Sequence, residues 1–324
     1  MQNEQKPAEG LVTHDAKRVK RRQFFRNAGG LSLGLLGGTI LGACGGGSGD
    51  KAQADPNAAS DADILNFALN LEYLESTFYQ YAVFGQPLPN NLVSGAGTVG
   101  TVIAGQQVNF TDPVLASMAR EIALDETQHV QFLRTALGGS AIARPSLDLG
   151  GTDPNGAFSR AAQSAGVVPA GTVFNPYADE DSFLLAASLF EDVGVTAYKG
   201  AAPLLANKTF LDAAAGILAA EAYHSAMLRT VLYQRGQALP AIIARSEAIS
   251  NARDALDNSI DDDQGVAPMG QVSNIAPLDS NGLAFGRTYG DVLNIQFLNK
   301  DAVTQGGFFP AGVNGNLRMS SAFV

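Results

Sequence analysis

With 324 residues, 46% hydrophobic and 16% charged, the chain can bury a sizeable core and does not have the composition of a disordered tail. Its single cysteine, Cys44, excludes a disulfide scaffold and any site built from several thiolates, and a formal charge of −10 argues against nucleic acid as a partner.

The first segment reads as an address rather than as part of the fold. A basic stretch contains Lys20-Arg21-Arg22-Gln23-Phe24-Phe25-Arg26, a Gly-diluted apolar run follows from Ala28, and Leu41-Gly42-Ala43-Cys44 closes it. The order resembles a twin-arginine export signal ending in a bacterial lipobox, which implies a signal peptide over residues 1–43. The same resemblance implies that Cys44 is lipidated and that the protein is anchored to a membrane without spanning it. Cleavage without lipidation, or an uncleaved apolar anchor, is the alternative. In each case the folded part faces outside the cytoplasm, as a periplasmic or cell-envelope protein. Residues 1–43 hold seven basic and three acidic residues, so the remainder carries about −14. Residues 44–60 are small and polar, and read as a flexible tether.

Four long segments then carry helical periodicity. The first runs from Asp61 to Phe84, with Ile64, Leu65, Ala68, Leu71, Leu74 and Phe78 at three- and four-residue steps, and Gly85 and Pro87 end it. The second opens at Asp112-Pro113, an acceptor cap followed by proline at the first helical position, and runs to Leu137 before two glycines. The third starts near Asp179 and Asp181 and runs through Ala201 toward Leu205, with Pro203 closing it. The fourth extends from about Thr209 to Arg235 and stops at Gly236. Residues 85–111, rich in Gly, Val, Thr and Asn, suggest an inserted loop or small hairpin, and residues 138–178 form a long crossover. A fifth, shorter helix is expected over 241–256 and a short one over 289–297, within a mostly irregular extension, 241–324, wrapped on a bundle spanning 61–240. The fold class is all-α: a four-helix bundle with a long crossover.

Beyond residue 43 the chain has two histidines, each three residues after a glutamate: Glu126-Thr-Gln-His129 and Glu221-Ala-Tyr-His224. Residues three apart share a helical face, so each pair can reach one ion. Both pairs lie on apolar stripes, and a buried carboxylate needs a cation beside it. The third helix supplies Glu191, followed seven residues later by Tyr198. In the first helix Glu72 and Glu75 compete, and Glu72 shares the spacing to a tyrosine, Tyr79. The chain thus repeats Glu-x6-Tyr then Glu-x-x-His, which selects Glu72 as ligand and leaves Glu75 as its alternative or its neighbour. A bundle without metal, in which each Glu and His hydrogen-bond one another and the tyrosines only pack, accounts for the same spacing. The Gly-rich stretch 95–105 lacks the lysine of a phosphate loop, and with both histidines assigned no Ser-His-Asp set is available.

Glu72, Glu126-x-x-His129, Glu191 and Glu221-x-x-His224 resemble the carboxylate-bridged dimetal pattern of ferritin-like proteins, over residues 61–235. Leu69-Asn70-Leu71-Glu72-Tyr73-Leu74-Glu75, Leu283-Ala284-Phe285-Gly286-Arg287-Thr288 and Gly306-Gly307-Phe308-Phe309-Pro310 resemble the desiccation-related ferritin-like family more narrowly. The resemblance implies two iron or manganese ions per chain, bridged by Glu126 and Glu221, with Glu72 and Glu191 as terminal ligands and one histidine on each ion. Tyr79 and Tyr198 would stand beside the ligands and act in catalysis by hydrogen-bonding a carboxylate or passing an electron.

Two functional classes follow. One is a redox enzyme acting on peroxide or oxygen in stress protection; the lack of a Cys-x-x-Cys module favours chemistry without a protein redox partner. The other is a non-enzymatic metal-binding or structural desiccation-related surface protein. Association into a homo-oligomer stays open, although long insertions and a tether fit poorly with a closed cage.

Overall fold

The computed structural model describes residues 59–258 and 260–322; the expected signal segment 1–43, Cys44 and the tether up to residue 58 lie outside them. Helix α1, Asp61–Tyr79, begins at a capping box in which Ser60 accepts from the Asp63 amide and Asp63 accepts from that of Ser60. It continues as a π-helical turn, Gln80–Phe84, and stops at Gly85, whose φ of 64° suits a residue without Cβ. Every residue from Ile64 to Tyr79 is buried, because the bundle covers one face, and the other is covered by Leu88, Leu92, Val93, Ala141 and Ile142 together with the C-terminal segment. Asn70 fastens that second face, exchanging hydrogen bonds with the backbone of Asn314 at 2.9 and 3.0 Å.

Helix α2, Pro113–Leu137, starts at Asp112, which accepts from the amides of Val114 and Leu115. The segment between α1 and α2 does not pair with itself as a hairpin. Its strand β1, Val102–Ile103, instead runs parallel to β2, Leu147–Asp148, in the crossover. Glycine makes this pairing sterically allowed: a Cβ on Gly95 or Gly100 would overlap the backbone of residues 141–142 or 145–146. The crossover also holds a short helix, α3, Ala157–Ser164; Asp148 caps it by accepting from the Ala157 amide at 3.0 Å.

Helix α4, Glu180–Ala201, starts at Asp179, which accepts from Ser182, and ends in a short 3-10 turn containing Pro203. Helix α5, Lys208–Ala238, runs past the expected stop at Gly236. The reason is tertiary: α6, Pro240–Asp254, lays Ile243 where a Cβ of Gly236 would stand, so the glycine serves close packing rather than termination. α1 with α2 and α4 with α5 form the two hairpins of the four-helix bundle.

Helix α7, Tyr289–Phe297, packs on α4, and residues 266–267 lie against α6, where the amides of Val266 and Ala267 donate to Ser246 and Glu247. Phe308 is fully buried with its ring centre 5.0 Å from those of Phe158 and Phe190. A buried ionic chain holds this covering in place. Asp192 of α4 pairs with Arg229 at 2.8 Å and Arg253 at 3.1 Å, Arg253 with Asp263 at 2.8 Å, and Arg287 with Asp257, Asp262 and Asp263 at 2.5–2.6 Å.

Candidate metal centre

Each of the four bundle helices turns a glutamate inward at the same level, α1 adds a second, Glu75, and α2 and α5 add their histidines one turn further on. Glu72, Glu126, Glu191 and Glu221 are fully buried, and the histidine side chains are 12% (His129) and 2% (His224) exposed. His129 Nδ1 lies 3.3 Å from Glu72, 3.6 Å from Glu126 and 3.7 Å from Glu221. His224 Nδ1 lies 3.1 Å from Glu126 and 3.3 Å from Glu191. Two overlapping four-residue groups result, Glu72–Glu126–His129–Glu221 and Glu126–Glu191–Glu221–His224, with the potential ligand atoms of each within 4.8 Å of one another. Glu126 and Glu221 belong to both.

The tyrosines cross between hairpins. Tyr79 of α1 donates to Glu191 of α4 at 2.6 Å, and Tyr198 of α4 donates to Glu72 of α1 at 2.5 Å. Glu191 and Glu72 therefore each have one oxygen fixed by a phenol and the other beside a histidine. Glu75 is also buried, but belongs to neither four-residue group. It sits above Gly194 of α4, where a Cβ would overlap Glu221 Oε2 and touch Glu75 Oε1. Asp125 escaped the sequence reading. It lies 3.3 Å from His224 Nε2, and its signal was its position immediately before the first Glu-x-x-His.

So many acids in one dry space perturb one another. Burial pushes Glu72 up to about 7, against the pull of His129. Burial and then the neighbouring carboxylates push Glu75 and Glu221 well above the usual range. Burial likewise raises Glu191, opposed by His224. Glu126 moves the other way, because the two imidazoles, 3.6 and 3.1 Å away, outweigh its burial. Burial disfavours both imidazolium ions, yet the carboxylates around them, Glu72 foremost for His129 and Glu191 for His224, hold both at about 12. Among the described residues no lysine or arginine pairs with these five carboxylates. Five acids share two imidazoles, so the buried carboxylates must either hold protons, as their raised values indicate, or give them up to bound cations.

The family model described as a ferritin-like domain matches residues 60–234. A ferritin-like catalase, Nec2, of Nesocodon mauritianus is 28% identical over 281 residues, 81% of this chain and 87% of the relative. A desiccation-related protein, PCC13-62, of Craterostigma plantagineum is 31% identical over 254 residues, 73% of this chain and 77% of the relative. The chain belongs to the ferritin-like domain family, and within it to the desiccation-related ferritin-like proteins.

Proposed function

We propose that the protein is a dimetal oxidoreductase of stress protection, holding two iron or manganese ions and acting on peroxide or oxygen outside the cytoplasm. One observation carries this reading. Eight buried side-chain atoms at the centre make no well-aligned hydrogen bond, although the imidazole nitrogens stand 3.1–3.7 Å from carboxylate oxygens: Glu72 Oε2, both oxygens of Glu126 and of Glu221, Glu191 Oε2 and the Nδ1 atoms of both histidines. Leaving that many polar atoms unsatisfied costs about 1–3 kcal/mol each. A metal-free core in which each Glu and His satisfy one another does not explain them, whereas a donor set of carboxylates and imidazoles suits iron or manganese.

Glu72 and His129 would hold one ion, Glu191 and His224 the other, and Glu126 and Glu221 would bridge. Bound there, the metals supply the reversible one-electron changes that peroxide or oxygen chemistry needs. The protein's own contribution is geometric. Tyr79 and Tyr198 fix the free rotation of Glu191 and Glu72, the helices exclude bulk water from the carboxylates, and Asp125 sets the ring of His224. The catalase name of one relative favours peroxide as the substrate, and the desiccation-related name of the other supports a stress role.

Export and anchoring through a lipid on Cys44 are part of the same proposal, supported by the order of the N-terminal signals. Among the described residues no helix is long and apolar enough to cross a membrane. Mass spectrometry of the mature N-terminus tests this directly, because a diacylated Cys44 as the first residue supports it and an unmodified N-terminus upstream of residue 44 contradicts it.

The activity is tested by loading the purified protein with Mn(II) or Fe(II) and following oxygen release and peroxide loss. Turnover that disappears in Glu126→Ala is the expected result. Stoichiometric metal without turnover would instead establish the second reading, a non-enzymatic metal-binding protein of the cell surface.

A further inference from the structure

The internal repeat relates Glu72 to Glu191, Tyr79 to Tyr198, Glu126 to Glu221 and His129 to His224, and the crossed tyrosine bonds follow it. One step before each Glu-x-x-His it breaks. The residue before Glu126 is Asp125, and the residue before Glu221 is Ala220. Asp125 reaches across from α2 to the Nε2 of His224 on α5, at 3.3 Å. The reciprocal reach, from α5 to His129 on α2, would fall to Ala220, whose methyl group offers no acceptor. Among the described residues no side chain or backbone group hydrogen-bonds His129 Nε2, and the His129 side chain is 12% exposed against 2% for His224.

A carboxylate on the far nitrogen of a ligating imidazole fixes the tautomer, aims the near nitrogen at the ion and raises its basicity; removing such a partner typically weakens metal binding about 10–100-fold. His224 has that partner and His129 does not. The repeat is therefore symmetric in ligand identity and asymmetric in the support of its ligands.

We propose that the two metal positions are inequivalent by construction: the His224 position, supported by Asp125, is the tight one, and the His129 position, lacking that support and partly open to solvent, is the labile one that exchanges its ion and takes exogenous ligands. The proposal rests on the dimetal reading and deepens it. It makes Asp125 a positioning residue that acts through His224.

Equilibrium dialysis of metal-free protein against Mn(II) alone tests it, with far-UV circular dichroism to verify that each variant is folded. Wild-type protein should bind its ions in two steps separated at least about tenfold. Asp125→Ala should weaken the tighter step by about 10–100-fold and leave the weaker one in place, so that the two merge. Asp125 is 40% exposed, so the substitution opens no core cavity. His129→Ala should retain one tightly bound ion, and His224→Ala only a weakly bound one. Two ions of indistinguishable affinity in the wild type, or an Asp125→Ala variant with an unchanged tight step, overturn the inequivalence while leaving a dimetal protein. Wild-type protein that binds no Mn(II) overturns the dimetal reading and the inequivalence with it.

Discussion

The phenol of Tyr79, on the first helix of one hairpin, is hydrogen-bonded at 2.6 Å to Glu191, on the first helix of the other. Tyr198 returns the contact to Glu72, so each hairpin positions a carboxylate belonging to its partner. Both phenols are buried, and both carboxylates are fully buried. Tyr79→Phe or Tyr198→Phe therefore leaves one more buried carboxylate oxygen without a donor, at a cost of about 1–3 kcal/mol in the metal-free protein. Urea unfolding in the presence of a chelator measures this. If the two variants lose their effect when combined, the tyrosines act as one coupled unit; additive losses are expected, since the phenols share no partner.

Gly194 offers a sharper contrast, because general helix propensity and local geometry predict opposite signs. In an open helix Gly→Ala stabilises by up to about 1 kcal/mol. Here the added Cβ would overlap Glu221 Oε2 and press on Glu75. Gly194→Ala should lower thermal stability and reduce bound metal, as measured by melting with and without Mn(II). A more stable variant with unchanged metal content would show that Glu221 has room to move.

Arg287 ties the C-terminal covering to the bundle. It is 2% exposed and bonds Asp257, Asp262, Asp263 and the hydroxyl of Thr196. Removing one side of such a cluster leaves buried charge uncompensated, so Arg287→Ala should cost about 3–5 kcal/mol in urea unfolding. A loss under about 1 kcal/mol, the range of an exposed pair, would mean that the acids simply become protonated or solvated.

Acid stability should have a contribution from Glu180. Despite partial burial, the amides of Asp112 and Thr111 and the guanidinium of Arg235 hold its carboxyl down to about 2. A group depressed on folding stabilises the native state above its unfolded value, near 4.5, and that stabilisation is lost as pH falls from there through about 2. Glu180→Gln should therefore lower the melting temperature at neutral pH and show a shallower loss between pH 4.5 and 2 than the wild type. Parallel melting curves for the two proteins across that interval would contradict the assignment.

Much of this architecture is legible because its signals are local. Ser60, Asp112 and Asp179 mark three helix starts by chemistry that needs only the neighbouring amides, and two Glu-x-x-His pairs share a face through helical spacing alone. The features that escaped depend on distant residues. Two-residue strands carry no periodicity, so the partner of Val102–Ile103 emerges only once Gly95 and Gly100 lie against the crossover. Gly236 has the look of a stop signal until Ile243 of the next helix claims its space. Asp125 acts across the bundle on a histidine 99 positions away, a relationship that spacing along one helix cannot reveal. Glu72 and Glu75 are both buried, and what separates them is that the nearest histidine, His129, faces Glu72.

The most direct test of the proposed dimetal centre is inductively coupled plasma mass spectrometry on protein purified from its native host, beside a Glu126→Ala/His129→Ala/Glu221→Ala/His224→Ala variant. The account predicts about two iron or manganese ions per chain in the wild type and none in the variant. A metal-free native protein, with the variant equally well folded, would contradict it and leave a structural bundle whose buried carboxylates are held by shared protons.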